Sequence, residues 1–212
     1  MKKIKNVFLL AAMAVSAGFV GCNNEDDGES AGGGSKADGS FEIKATVSTE
    51  GVTTADSVTL EIERGEVLAK GTYVNGVLTI TLPATLDSKY LSPIGNLGEG
   101  VTVSDPQTKW YEDDDDAIIY AWKNGTKVGD FEYGYEAGTA GPFYVDKDVT
   151  ITGTSTNTSG DWTLITNYSV SLKKGWNIVV FPDWSENATA KTNTRTKTTT
   201  IPQGLKWSFD PD

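Results

Sequence analysis

Gly71-Thr72-Tyr73-Val74-Asn75-Gly76-Val77-Leu78-Thr79-Ile80-Thr81-Leu82 is the stretch on which the fold turns. Asn-Gly is the preferred pair for a type I′ turn, because both central residues of that turn need positive φ. On its far side Leu78, Ile80 and Leu82 alternate with Val77, Thr79 and Thr81, the period of a strand with one buried face. The segment predicts a hairpin. A second Asn-Gly, Asn124-Gly125, follows the apolar stretch from Ile118 to Lys123 and predicts another.

The same alternation runs outward in both directions. Phe41, Ile43, Ala45 and Val47 face one way against Glu42, Lys44, Thr46 and Ser48. Val58, Leu60 and Ile62 do the same against Thr59, Glu61 and Glu63. Further on, Trp162, Leu164, Tyr168, Val170 and Leu172 share one parity, and Lys173-Lys174-Gly175 predicts a third hairpin into Trp176-Asn177-Ile178-Val179-Val180-Phe181. That last strand is apolar on both parities apart from Asn177, so it belongs at the centre with both faces covered. Trp162, Trp176, Trp207 and Trp122 share parity with aliphatic residues and are expected in the core. Leu205, Trp207 and Phe209 predict a short closing strand, and the Thr-rich Thr189–Thr200 a solvent-facing edge strand.

No helical repeat appears beyond the N-terminal apolar stretch. The expected architecture is all-β, an antiparallel β-sandwich of immunoglobulin-like or related type with about ten strands, occupying residues 41–212. The polar stretch at 104–116 (SDPQTKWYEDDDD) is either a break between two subdomains or a long loop within one domain.

The N-terminus carries an address. Lys2, Lys3 and Lys5 precede a mostly apolar stretch from Val7 to Val20, which ends at Gly21-Cys22. At about 14 residues it is shorter than the roughly 20 a membrane span needs, and it suits a signal peptide over 1–21. Phe19-Val20-Gly21-Cys22 resembles a bacterial lipobox, with phenylalanine in place of the usual leucine at the first position. The resemblance implies cleavage before Cys22 and acylation of its thiol, which makes the membrane a partner through a lipid anchor. Removing three lysines and no acid takes the charge from −11 to −14. Asn23-Asn24-Glu25-Asp26-Asp27 resembles the acidic export signal of Bacteroidetes lipoproteins, which implies the outer membrane and an outward-facing domain. Composition makes residues 22–40 a flexible tether.

Several longer stretches add to this. Leu82–Leu91, Ala121–Gly129, Tyr144–Gly153, Ser171–Val179 and Gly204–Phe209 resemble a family of small Bacteroidetes surface lipoproteins of uncharacterised function. The resemblance spans most of residues 60–209. It implies location and a β fold, and it brings no catalytic residues with it.

Composition narrows the chemistry. The chain of 212 residues has no histidine, one cysteine and 29 acidic against 18 basic residues. That excludes histidine-based nucleophile pairs, histidine metal sites and an intrachain disulfide. Only Arg64 and Arg195 are arginines, which argues against a nucleic-acid partner. No catalytic residues and no cofactor are expected.

Four polar features remain. Glu112-Asp113-Asp114-Asp115-Asp116 is a solvated acidic loop or a calcium site, with Asp113 and Asp115 as the same-side pair. Trp110, Tyr111 and Trp184 lie in polar or Pro-flanked segments and are the candidates for ligand contact. Lys191, Arg195 and Lys197 could line a polyanion-binding strip. Asp56-Ser57-Val58 resembles a Bacteroidetes O-glycosylation acceptor, with Ser57 modified. The expected function is a non-enzymatic binding, adhesion or structural module for a glycan or protein ligand. The alternative is a calcium-dependent or carboxylate-based glycan hydrolase.

Overall fold

In a computed structural model, residues 32–48, 54–62, 66–111 and 118–212 are described. They are all-β: β1 Gly32–Ser35, β2 Phe41–Ser48, β3 Thr54–Ile62, β4 Glu66–Val74, β5 Val77–Leu82, β6 Ser92–Pro93, β7 Val101–Val103, β8 Lys109–Tyr111 and β9 Ile118–Lys123. There follow β10 Thr126–Tyr135, β11 Gly138–Val145, β12 Val149–Ser159, β13 Trp162–Leu172, β14 Gly175–Pro182, β15 Ser185–Asn187, β16 Thr192–Thr198 and β17 Lys206–Pro211. A 3-10 turn, Ser88–Tyr90, follows β5.

The two Asn-Gly hairpins form where the turn chemistry places them. Asn75 and Gly76 have φ of 51° and 80°, and Asn124 and Gly125 have 52° and 75°. The first joins β4 to β5 and the second joins β9 to β10.

These hairpins build a closed barrel, not one layer of the expected sandwich. Its ring runs β2, β5, β4, β3, β9, β10, β17 and back to β2. Every contact in it is antiparallel except the last. There β17 lies parallel to β2, with Trp207 opposite Val47 and Ser208 opposite Ser48. A barrel and a sandwich both demand one apolar face per strand, so alternation alone does not separate them. The choice is made by that closing pair, between strands near opposite ends of the chain.

The barrel interior holds Phe41, Ile43, Val58, Leu60, Tyr73, Leu78, Ile80, Leu82 and Ile119, all buried. Aromatic rings fill its middle: Tyr73 meets Phe131 edge-on at 4.8 Å, and Tyr133 stacks on Trp207 at 4.7 Å. Ile119 and Ala121 supply the inward face of β9. Trp122 is therefore on the outer face, contrary to its expected core position, and donates its indole N–H to Thr59 Oγ1 at 2.7 Å.

Beyond the barrel the sheet continues in the order β6, β8, β11, β14, β16, β13, β12, β7. It carries a second core of Ile94, Phe143, Val145, Val149, Ile151, Val170, Leu172 and Val179. β14 lies between the cores as its composition required. Trp176, Ile178 and Val180 face the barrel core, while Val179 and Phe181 face the second.

Four other expectations are corrected. The described residues form 17 strands, because short polar strands such as β1, β6 and β15 carry no apolar period. Lys173-Lys174-Gly175 turns the chain without forming a hairpin, since β16 lies between β13 and β14. β16 is thereby an interior strand, parallel to β13 on one side and paired with β15 and β14 on the other. Threonine suits a strand whether or not its edge is open, so composition did not distinguish the two cases. Trp162 is half-buried and lies outside both cores.

Within the expected tether, residues 32–35 pair with β2. The ring of Phe41 lies where a side chain at Gly33 would be, so glycine permits this close approach. Asp38 closes the turn by accepting from the Ser40 hydroxyl at 2.6 Å and its amide at 2.9 Å, which holds the Asp38 carboxyl below its usual range. Within 104–111, β8 joins the second sheet beside β11 and β6; the chain then re-enters the barrel at β9 and β10, leaves it at β11 and returns through β17.

An electrostatic cost sits where the barrel closes. Burial pushes the Asp130 carboxyl up; Lys127 opposes this, while Asp210, directly opposite on β17, and Asp212 reinforce it. A raised value means that folding disfavours the ionised form, so this group's contribution is present at low pH and is lost as pH rises through the raised value. Asp130→Asn is expected to stabilise the protein by about 0.5 kcal/mol at pH 7, allowing for solvent screening. The gain should shrink in urea midpoints measured at successively lower pH, as the parent carboxyl takes up its proton.

Candidate functional site

The sequence-derived contact residues separate in the structure. Trp110 and Tyr111 are consecutive on β8 and so point to opposite faces. Trp110 packs edge-on against Phe143 at 5.3 Å in the second core, and Tyr111, 8% exposed, belongs to the barrel core. Trp184 is 39% exposed. Trp110 sits opposite Val145 at one end of β11, whereas Trp184 lies two residues beyond Pro182, which sits opposite Gly138 at the other end. Seven residues of strand are about 23 Å, so the three aromatics form no common platform.

Asp113, Asp115, Cys22 and residues 23–27 lie outside the described residues. Among the described residues no three His, Cys, Asp or Glu side chains converge to hold a metal ion. Ser57 sits half-buried in β3 opposite Trp122, where the β3–β4 register shifts. Its neighbour Asp56 accepts the backbone N–H of Asn124.

Trp184 has a partner that the sequence did not link to it. The guanidinium of Arg195 lies 4.3 Å from the centre of its ring. Strand register explains the meeting. Ser185 is opposite Thr194, so Trp184 falls beside Arg195, and Arg195 in turn is opposite Thr166, which is opposite Ser155. Ser155, Thr166, Arg195 and Trp184 thus make one row across the sheet, on the face that carries the second core. Ser155 and Thr166 are buried polar residues, and the close packing of Gly98 over Ser155 caps that end of the row.

Two residues along β16 on the same face, Lys197 lies over Phe181 at 5.3 Å, opposite Tyr168. One pair outward, Glu186 lies opposite Asn193. The Arg195–Trp184 contact is worth about 0.5–2 kcal/mol, depending on how dry the pair is, and it fixes the plane of the guanidinium. Arg195 Nε is buried without a hydrogen-bond partner. The three residues that could have lined a polyanion strip do not act together, because Lys191 directly precedes β16 and is bound to Asp161 at 2.9 Å, while Arg195 lies on Trp184.

Thr154, Asn167 and Thr196 form a chain across three strands, with Thr154 Oγ1 donating to Asn167 Oδ1 at 2.8 Å and Asn167 Nδ2 to Thr196 Oγ1 at 3.5 Å.

A separate open cleft of about 870 Å³ lies beside the β10–β17 ladder. It is lined by Glu132, Tyr135, Glu136, Gln203, Lys206 and Ser208, and a side chain at Gly134 would crowd the Glu132 carboxylate. Burial pushes the Tyr135 phenol up, with a smaller contribution from Asp183. Two carboxylates and an amine in one cleft are polar contacts for a hydroxylated ligand. Sequence reasoning missed this place, because its lining comes from positions 132–137 and 203–208, which meet only through strand pairing.

No protein-family model, curated protein or solved structure matches this chain.

Proposed function

We propose that this protein is a cell-surface outer-membrane lipoprotein whose β domain binds a glycan or protein ligand without catalysing a reaction. The observation that carries the binding role is Trp184, exposed and held in place by Arg195, beside polar side chains able to bond hydroxyl groups. The membrane anchor rests on the lipobox-like Phe19–Cys22, and the outward orientation on Asn23–Asp27 and on the resemblance to Bacteroidetes surface lipoproteins. The absence of histidine supports a non-catalytic role.

The alternative, a carboxylate-based glycan hydrolase, draws on Glu132 and Glu136 in one cleft. Full-length protein in detergent, tested on a glycan array and for glycan cleavage with and without calcium, separates the two readings. Binding without cleavage is the expected result. Turnover that disappears in Glu132→Gln or Glu136→Gln would establish the hydrolase instead.

For the anchor, Cys22→Ala is expected to abolish acylation and shift the protein from the membrane fraction to the supernatant. Retention in the membrane would end the lipoprotein reading. Protease added to intact cells should remove the β domain, and full protection would place it on the inner side.

A further inference from the structure

We infer that Arg195 and Trp184 form a site for an acidic glycan, in which Arg195 receives the carboxylate of a uronic-acid unit and Trp184 takes the face of a sugar ring. The inference rests on the proposed glycan-binding role and names its ligand class.

The argument begins with charge. Six described lysines, at 36, 89, 127, 147, 173 and 191, each hold a carboxylate partner within ion-pair distance. Arg195 has none among the described residues, although the chain carries an excess of 11 negative charges. It is half-buried in an interior strand, and its Nε lies buried without an acceptor. A cation kept from water without a counterion is unfavourable, and it becomes favourable when an anion arrives. Guanidinium is the group best matched to a carboxylate, which it can hold through two parallel N–H donors.

The surroundings narrow the anion to a sugar acid. Stacking on Trp184 fixes the guanidinium plane and leaves the partly exposed indole beside it as an apolar surface for the C–H face of a ring. Glu186 and Asn193 on the next pair along the face offer an acceptor and an amide for ring hydroxyls. Lys197 adds a second positive charge two residues along the same face of β16. An acidic peptide would use the charges and leave Trp184 and the hydroxyl-bonding groups without a role. Glu186, diagonal to Arg195, opposes the incoming anion and sets a limit on affinity.

The test is calorimetric titration of full-length protein with tetragalacturonate, tetramannuronate and a hyaluronan tetrasaccharide, each beside its methyl ester. Poly-glutamate is the peptide control. At least one acid is expected to bind, at least tenfold more tightly than its ester and more weakly as salt rises. Arg195→Gln and Trp184→Ala should each weaken it tenfold or more, Arg195→Lys less, and Glu186→Gln should strengthen it two- to fivefold. Trp184 is at the surface, so Trp184→Ala is expected to melt with the parent and remains informative if Arg195→Gln does not fold.

Equal binding of acid and ester, or acid binding unchanged by Arg195→Gln and Trp184→Ala, would overturn this inference and leave glycan binding intact. Tighter binding of poly-glutamate than of any uronate would also overturn it. Failure of the uronates while neutral glycans bind on the array sinks the acidic site alone. Failure of every glycan sinks the glycan-binding role with it.

Discussion

Trp176→Ala is expected to lower the free energy of unfolding by about 4 kcal/mol. Trp176 is 5% exposed on β14, on the face turned to the barrel core. It meets Tyr144 edge-on at 5.3 Å and donates its indole N–H to the Pro83 carbonyl at 2.8 Å. Pro83 directly follows barrel strand β5, so one side chain ties the second sheet to the barrel by packing and by a hydrogen bond. Truncation to alanine removes both and leaves a cavity at the join. Trp176→Phe separates the two terms: most of the apolar area stays, and the loss should fall to about 1–2 kcal/mol for the unpaired carbonyl. Urea unfolding followed by circular dichroism and by fluorescence checks both. The alanine variant should also show the two probes separating, as the second sheet loosens before the barrel. A loss below 1 kcal/mol with coincident transitions would mean that the two cores are not joined through this residue.

The second large effect is expected at the barrel closure. Gly129 has φ of 150°, and a Cβ built on it would lie 2.2 Å from the Asp210 carbonyl oxygen, 2.7 Å from Phe209 Cζ and 2.9 Å from Pro211 Cα. Two of these are backbone atoms of β17 and cannot swing aside like the end of a flexible side chain. Register on the β9 side also shifts between Lys127 and Gly129, so β10 bends there to meet β17. A side chain would force β17 away from β10 and open the ring beside the strand that closes it. Gly129→Val should cost about 4 kcal/mol or more from backbone strain and overpacking together, and Gly129→Ala somewhat less. Gly141→Ala is the control: a Cβ there meets nothing within 4 Å, and its stability should lie within about 0.5 kcal/mol of the parent. Comparable losses at both positions would contradict the close β10–β17 approach.

Much of the barrel was legible because its signals are local. The type I′ turns at Asn75-Gly76 and Asn124-Gly125 depend only on the φ preferences of two residues. The inward faces of β2, β3 and β5 follow from alternation within each strand. The double-faced β14 was legible for the same reason, since covering both faces needs apolar residues at both parities. Trp122 went the other way. Its neighbours Ile119 and Ala121 set the inward parity, and the tryptophan instead lies on the outer face with Thr59 as its partner. β1 was invisible to composition because it is held by backbone pairing and by the Phe41 ring over Gly33, neither of which needs an apolar residue in the strand.

The candidate site was legible only in part. Trp184 stood out as an aromatic in a Pro-flanked polar segment, and Arg195 as one of two arginines. Nothing local connected them. Their meeting depends on β15 pairing with β16, and on β16 entering between β13 and β14 in place of a simple β13–β14 hairpin. Trp110 and Tyr111 show the converse: adjacency in the chain put them on opposite faces of β8, in different cores.

By itself the sequence determined the strand-forming pattern, the two tight turns, the inward parity of β2, β3 and β5 and the absence of histidine chemistry, since each depends on residues within a few positions of one another. Only the tertiary structure decided that the strands close into a barrel, that a second core is built on β11 and β14, and that Arg195 comes to rest on Trp184. Those outcomes rest on pairing between distant segments, β17 with β2 and β16 with β13. An alternating strand offers the same backbone donors and acceptors to any neighbour, and packing selects which neighbour it takes.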